Sequence, residues 1–487
     1  MLFNSYIFIL VFLPICLIGY FGLNRLGKYT LAQIFLLAMS LWFYGYFNPR
    51  YLLIILFSIV GNYAMTTWMR YVSGPGRRRA VMLLALALNV GVLFYYKYFD
   101  FFLDNLNRFA GTHYPLLNLL LPLGISFFTF QQISYVVDAY RGETEPYSFL
   151  EYACFVAYFP QLIAGPIVTH DELIPQFRDN SKKKFNWDHF SQGLYMFSLG
   201  LAKKVLIADV FGVAANWGFD NLTQLNAVNG LLVMLAYTFQ IYFDFSGYCD
   251  MAIGIGRMMN LDLPVNFDSP YQALTIDEFW ERWHKTLSRF LTRYVYIPLG
   301  GNRKGQLRTC MNILIVFMVS GIWHGARWSF LLWGILHGLL KVLNRCFPRF
   351  FRNLHPAANW LLTFAFLNIT WVLFRSESIS QTVFFLKELL KLECGPIAQE
   401  LISAFQLPEL VFLAQYAPGF ACFSYFPAAL MWLFYGGALF LVLSRRNSYE
   451  RMLSFTPGGR TMLATVFLLT WSILSFSGVS TFLYFNF

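Results

Sequence analysis

The sequence predicts an all-α polytopic membrane protein, and three observations carry that prediction. Of its 487 residues, 57% are hydrophobic and 13% charged, where a soluble domain carries about a quarter charged. The apolar residues gather in runs of the roughly 20 residues a helix needs to cross hydrocarbon. The net charge of +11 sits in short clusters between those runs, as cytoplasmic loops rich in Lys and Arg do. The same dispersal speaks against a nucleic-acid surface, so no nucleic-acid partner is expected and membrane lipid is.

The runs expected to span are 5–23, 31–47, 51–69, 80–98, 115–137, 190–218, 228–247, 309–343, 358–374, 426–444 and 461–480. The first lacks a basic leader and a small-residue cleavage site, so it reads as a retained span with its N-terminus outside. Segment 148–167 is apolar but interrupted by Pro160 and Gly165-Pro166. Such breaks are tolerated at membrane depth only where the backbone is buried in protein or lines a wet cavity, so it reads as re-entrant. Arg77 to Arg79, Lys182 to Lys184, and Arg445 with Arg446 and Arg451 then mark inside loops, and the C-terminus falls outside. The expectation is about ten or eleven spans. Segment 376–410 holds short amphipathic stretches suited to the membrane face. No period of repeats suggests a solenoid. The chain reads as one integral-membrane domain, 1–487, with peripheral N-terminal spans in 1–110, a motif-bearing core in 120–340 and C-terminal spans in 358–487.

Cys16, Cys154, Cys249, Cys310, Cys346, Cys394 and Cys422 form no CxxC pair, so neither a disulfide framework nor a zinc site is expected. The histidines form no spaced ligand set, and no bound metal or cofactor is expected, although a haem held by two of them stays open.

The longest polar interruption, about 260–308, contains "TIDEFWERWHKTLSRFLTRY". Thr275 with Glu278 makes a capping-box start for a helix running to about Arg293. Glu278 with Arg282 and Glu281 with Lys285 are i,i+4 pairs in the favourable order. Trp280, Trp283, Leu287 and Leu291 form an apolar stripe; Arg282, Lys285, Arg289 and Arg293 form a basic one. The bland reading is an interfacial helix with arginines on lipid phosphate. His284 then is either a hydrogen-bonded structural histidine or a site residue. The following "IPLGGNRKG" is either a phosphate-binding turn using Arg303 or Lys304, or a plain positive-inside turn.

In "SGIWHGARWSFLLWGILHG", His324 lies fifteen residues after Thr309. That is about 22 Å of helix, near or beyond the middle of a hydrocarbon core about 30 Å thick. Gly321 and Gly325 flank it and permit close approach or a break. A deep ionisable group between glycines marks a site more often than a structural bond to a neighbouring helix. His337 reads as structural. Asp244 and Asp250, in "YFDFSGYCDMAIGIG", suggest buried hydrogen bonds; Ser246 and Cys249 lie in no nucleophile elbow.

With these residues in view, the chain resembles the membrane-bound O-acyltransferase (MBOAT) family, in its alginate O-acetyltransferase branch, and more distantly the D-alanyl transfer proteins of teichoic acid. The runs carrying the resemblance are 121–142, 158–168, 242–259, 266–305 and 321–338, with the terminal "FLYFNF". The resemblance implies an MBOAT-type bundle with re-entrant and interfacial helices around a central channel, in a bacterial inner membrane. It implies that His324 of "WHG" is catalytic and His284 of "RWH" the second important histidine. It implies a channel lined by Trp280, Trp283, Trp323, Gly325, Arg282, Arg289, Asn266 and Asp244, with Lys285 and Arg303 for donor phosphates. Arg293 departs from the acidic residue expected there, which puts a local ion pair and partner docking in doubt.

The implied activity moves an acyl group, expected to be acetyl from acetyl-CoA or another acyl thioester such as an acyl carrier protein, across the membrane for O-acetylation of an alginate-like exopolysaccharide. An extracytoplasmic SGNH-type acyltransferase is the expected partner. D-alanyl transfer from a carrier protein and transport without catalysis stay open as alternatives.

Overall fold

The computed structural model describes residues 1–416, 427–444, 446–476 and 482–483. Cys422, Arg445 and most of the "FLYFNF" terminus lie outside them. The described residues are helical, with no strand. Six helices are long and apolar enough to cross a membrane: Phe8–Arg25, Arg50–Tyr71, Pro75–Ala110, Ala227–Met258, Gln306–His324 and Pro356–Arg375. Three shorter apolar helices, Tyr29–Gly45, Pro427–Leu443 and Gly459–Leu474, accompany them.

The differences from the expected spans have local causes. Run 115–137 becomes helical only at Ile125, after an irregular segment. Run 190–218 is Trp187–Ala202, a π-helical turn at Lys203–Ala208 and Asp209–Asp220. The 309–343 run is two helices, Gln306–His324 and Trp328–Cys346, folded back on each other. A Cβ on Gly321 would strike the carbonyl oxygen of Phe330, and one on Gly334 that of Phe317. Glycine at both positions is what lets the two backbones meet, and His324 ends the first arm at the tip of this hairpin.

Ala227–Met258 is the central helix. Its 32 residues correspond to about 48 Å of helix, and nearly every side chain from Gly230 to Met258 is buried. It packs on the Trp187–Ala202 helix through two glycine pairs two turns apart, where a Cβ on Gly193 would stand 2.5 Å from the Gly254 oxygen and one on Gly200 2.6 Å from that of Gly247. Charge is buried beside this seam as pairs: Lys204 donates to Asp244 at 2.6 Å and Asp209 at 2.8 Å, and Lys203 to Asp250 at 2.7 Å.

Segment 148–167 is broken, as its proline and glycine spacing leads one to expect. Two short helices, Phe149–Ala157 and Phe159–Leu162, give way to irregular backbone, and residues 152–168 are all buried within the protein. A capping box, Ser148 with Glu151, starts the first helix.

Candidate active site

The helix expected from Thr275 to Arg293 is broken. Ile276–Arg282 starts as expected, with Glu278 N–H donating to Thr275 Oγ1. It stops at Trp283, and a second helix, Lys285–Leu291, starts after His284. His284 itself has φ 46° and ψ 49°, a left-handed conformation that costs a non-glycine residue about 1–2 kcal/mol. Tertiary bonds hold it there. Asp268 N–H donates to the Arg282 carbonyl and Lys285 N–H to the Asn266 carbonyl. The Asn266 Oδ1 accepts from Thr286 N–H at 3.2 Å, Thr286 Oγ1 at 2.8 Å and His284 Nδ1 at 3.1 Å. Because the Thr286 backbone N–H can only donate, that atom is an oxygen acceptor. His284 therefore carries a proton on Nδ1, and in the neutral ring the lone pair is on Nε2.

The break overturns the interfacial reading. Trp280 and Trp283 are 5% and 1% exposed. Trp283 packs on Trp371 at 5.0 Å and Phe267 at 4.9 Å in the core. Glu278 pairs with Arg282 as expected, but Lys285, past the break, faces Asp268 at 3.7 Å instead of Glu281.

His324, 3% exposed, lies among the rings of Trp323, Trp333 and Phe374 at centroid distances of 4.9, 5.2 and 5.2 Å. The Trp323 ring also approaches His284, at 5.9 Å, so one indole touches both histidines. His337 is structural: Trp280 Nε1–H donates to its Nδ1 at 3.3 Å, and Nε2 meets Thr370 Oγ1 at 3.1 Å.

Two cavities approach His324. A cleft of about 1870 Å³ is lined by Trp280, Lys285, Thr286, Ser288, Arg289 and Arg293, by Gln306 and Thr309 at the start of the hairpin's first arm, and by Phe317 and Ser320 further along it. Ser320 lies four residues before His324, so the cleft ends one turn short of it. It is lined further by Lys341, Arg345 and Arg352 and by the turn around Asn302 and Gly305, next to the basic residues Arg303, Lys304 and Arg308. The second cavity is small, about 20 Å³, and includes His324 itself with Trp323, Lys97, Ser126 and residues 121–125. It lies toward the far end of the Pro75–Ala110 helix and the segment that follows it.

The expected lining is thereby sorted. Trp280, Lys285 and Arg289 line the large cleft and Trp323 the small cavity. Trp283, Arg282, Asn266, Asp244, Gly325 and Arg303 line neither. Trp283 is core; Asn266 holds the His284 turn; Arg282 is tied to Glu278 and the Asp268 carbonyl. Asp244 is taken by Lys204 and by Leu483 N–H. Gly325 lies against the Phe330 ring. Arg303 is exposed on its turn. Arg289 lines the cleft but clasps Glu172 with two bonds, at 2.5 and 2.7 Å.

Arg293 has partners that helix spacing does not reveal. It pairs with Asp138 at 3.1 Å and Glu143 at 2.7 Å. Asp138, fully buried, also accepts from Tyr294 at 2.7 Å and meets His170 Nε2 at 3.2 Å, and Tyr147 bonds the other His170 nitrogen at 3.0 Å. This network braces the helical segment that follows His284, through Arg293 and Tyr294, against the Ile125–Arg141 helix. Asp138 and His170 are absent from the residues the sequence singles out, because the partners just named lie 23 to 156 residues away.

The family model described as MBOAT, membrane-bound O-acyltransferase family, matches residues 80–379. A peptidoglycan O-acetyltransferase of Helicobacter pylori is 44% identical over 80% of this chain and 79% of its own length. A probable alginate O-acetylase of Pseudomonas aeruginosa is 38% identical over 78% of this chain and 73% of its own. A teichoic acid D-alanyltransferase of Streptococcus thermophilus is 29% identical over 48% of this chain and 59% of its own.

Proposed function

The chain belongs to the membrane-bound O-acyltransferase family, and from that premise we propose that it carries acetyl groups from a cytoplasmic thioester to a hydroxyl on the outer side of a bacterial inner membrane, for O-acetylation of an exported polysaccharide. It is an integral multi-pass acyltransferase. The observation that carries the finer reading is the position of His324: it lines the small cavity, and the large cationic cleft ends one helical turn from it.

In this reading the donor enters the cleft with its acyl end toward Ser320. Arg345 and Arg352 at the mouth have no carboxylate within ion-pair distance among the described residues, whereas Lys341 and Arg289 are paired to Asp277 and Glu172; the first two are the better phosphate ligands. The alcohol approaches from the outer cavity. A ring nitrogen of His324 takes its proton as the oxygen attacks the thioester carbonyl. A carbon–oxygen bond forms, the carbon–sulfur bond breaks, and the imidazolium returns its proton to the departing thiolate. His284, fixed by Asn266 with its lone pair on Nε2, orients the site from the other side of Trp323. The polymer is of the peptidoglycan or alginate class, reached directly or through an extracytoplasmic acyltransferase partner.

The test is acetate released by mild base from surface polysaccharide of a deletion strain carrying the wild-type gene or His324→Ala. General-base loss predicts a fall of about 10²–10⁴-fold at equal membrane abundance. Parental acetate from the variant refutes the base. Base-labile D-alanine in place of acetate would move the donor assignment to the D-alanyl branch.

A further inference from the structure

The lysines set within the apolar helical runs are of two kinds. Lys203 and Lys204 each meet an aspartate at 2.6–2.8 Å. Lys97 meets none: among the described residues no carboxylate lies within ion-pair distance of it. Its Nζ donates to the Trp323 carbonyl at 2.6 Å and to Ser126 Oγ at 3.1 Å, and stands 5.9 Å from the centroid of the Trp323 ring. A cation without a counter-charge is expensive in such surroundings and marks a task. Its backbone setting agrees, because Lys97 lies in a π-helical turn, Phe94–Tyr98, a distortion that recurs at functional sites.

The task follows from where Lys97 opens. It shares the small outer cavity with His324. That cavity leaves about 20 Å³ for the centres of water-sized groups, so a hydroxyl oxygen fits beside the ammonium. An ammonium has three N–H donors, and two are engaged by Trp323 and Ser126. We propose that Lys97 is a catalytic residue of the acceptor side, whose third N–H holds the oxygen of the incoming alcohol while that oxygen's proton points to His324.

The inference rests on the acyl-transfer reading above and adds a cation to it. As His324 removes the proton, negative charge grows on the attacking oxygen, and a fixed ammonium beside it stabilises that charge before the new carbon–oxygen bond consumes it. In its ammonium form Lys97 gives up no proton in this step, so the proton and electron balance of the transfer is unchanged. The bond to the Trp323 carbonyl ties the ammonium to the residue preceding His324, and so fixes its place relative to the base.

Inside-out vesicles given [14C]acetyl-CoA test it, with base-labile label on host polysaccharide as the rate and [14C]acetyl-CoA binding as the donor control. Variants are compared at equal donor-binding protein. Lys97→Gln keeps a neutral N–H for the Trp323 carbonyl but loses the charge, and the expected fall in kcat is about 100-fold with donor KM unchanged. Lys97→Arg restores charge and falls less. A purely structural role predicts that Gln serves as well as Arg, and that result, or a Gln variant within about threefold of the parent, overturns the proposal. Ser126→Leu provides a second route by filling the cavity: it should lower transfer at least tenfold with donor binding intact, and parental transfer would overturn the acceptor assignment. His324→Ala is run alongside. If it transfers normally, the base reading fails; if it is dead while Lys97→Gln is active, only the Lys97 assignment fails.

Discussion

The two cavities beside His324 differ in volume by about two orders of magnitude, about 1870 Å³ against about 20 Å³. The larger is ringed by cations and by carboxylates that occupy several of them; the smaller holds one lysine with no carboxylate. A phosphate-bearing thioester with a long arm suits the first. The second suits a single hydroxyl. Under the proposed acyl transfer, the difference would have the donor held over a long surface and the acceptor at a few atoms beside Lys97 and His324. Between the cavities stands the broken helix: Thr286, bonded to Asn266, lines the large one, while Trp323, against the His284 ring, lines the small one.

The largest break in this asymmetry comes from plugging the inner end of the cleft. Ser320→Trp would displace the acyl carbon from His324, with an expected loss of about 10²-fold in kcat/KM for acetyl-CoA, read in vesicles, while the outer cavity is untouched. Weakening the partition is next. Asn266→Ala orphans the His284 and Thr286 donors and should cost about 1–3 kcal/mol, measured as lowered thermal stability in detergent. Removing phosphate contacts sharpens the donor side: Arg345→Ala and Arg352→Ala should each raise donor KM about tenfold, a charged hydrogen bond of about 1.5–3 kcal/mol at most, with kcat unchanged and the effect shrinking in salt.

The smallest effect lies away from both cavities. Arg178 clasps Glu151 at 2.6 Å and Glu145 at 2.9 Å, and the Glu151 carboxyl is held down from 4.5 to about 2, first by its hydrogen bond to Arg178. A depressed carboxyl contributes stability that is full above its unfolded value and lost as pH falls from about 4.5 toward 2. Arg178→Ala should therefore cost about 1 kcal/mol or less near neutrality, flatten the acid limb of a stability-against-pH curve, and leave transfer at pH 7 unchanged.

Much of this architecture can be read from sequence where the cause is local. Proline and glycine spacing in 148–167 foretold irregular backbone, Thr275 foretold a helix start, and the glycines beside His324 foretold close approach. The rest depends on partners far along the chain. Nothing within "ERWHKTL" announces a break at His284, because the bonds that hold it come from Asn266 and Asp268. The 309–343 run is too long for one crossing and carries Gly325 and Arg327 at its middle, yet its folding back is decided by Gly321 meeting Phe330. Arg293 departs from the acidic residue the resemblance implies, and its partners Asp138 and Glu143 reach it from the Ile125–Arg141 helix and the segment just after it. Lys97 stood in plain view as the one charge in the run 80–98; its meaning needed the cavity it shares with His324.

The most direct measurement of the central claim, that His324 joins a cytoplasmic donor to an outer acceptor, uses sealed inside-out vesicles with [14C]acetyl-CoA supplied only outside. The account predicts base-labile label on polymer in the lumen, shielded from a membrane-impermeant esterase until the vesicles are opened, and absent with His324→Ala. Label that appears only when acetyl-CoA is placed in the lumen, or that accumulates unchanged with His324→Ala, would contradict it.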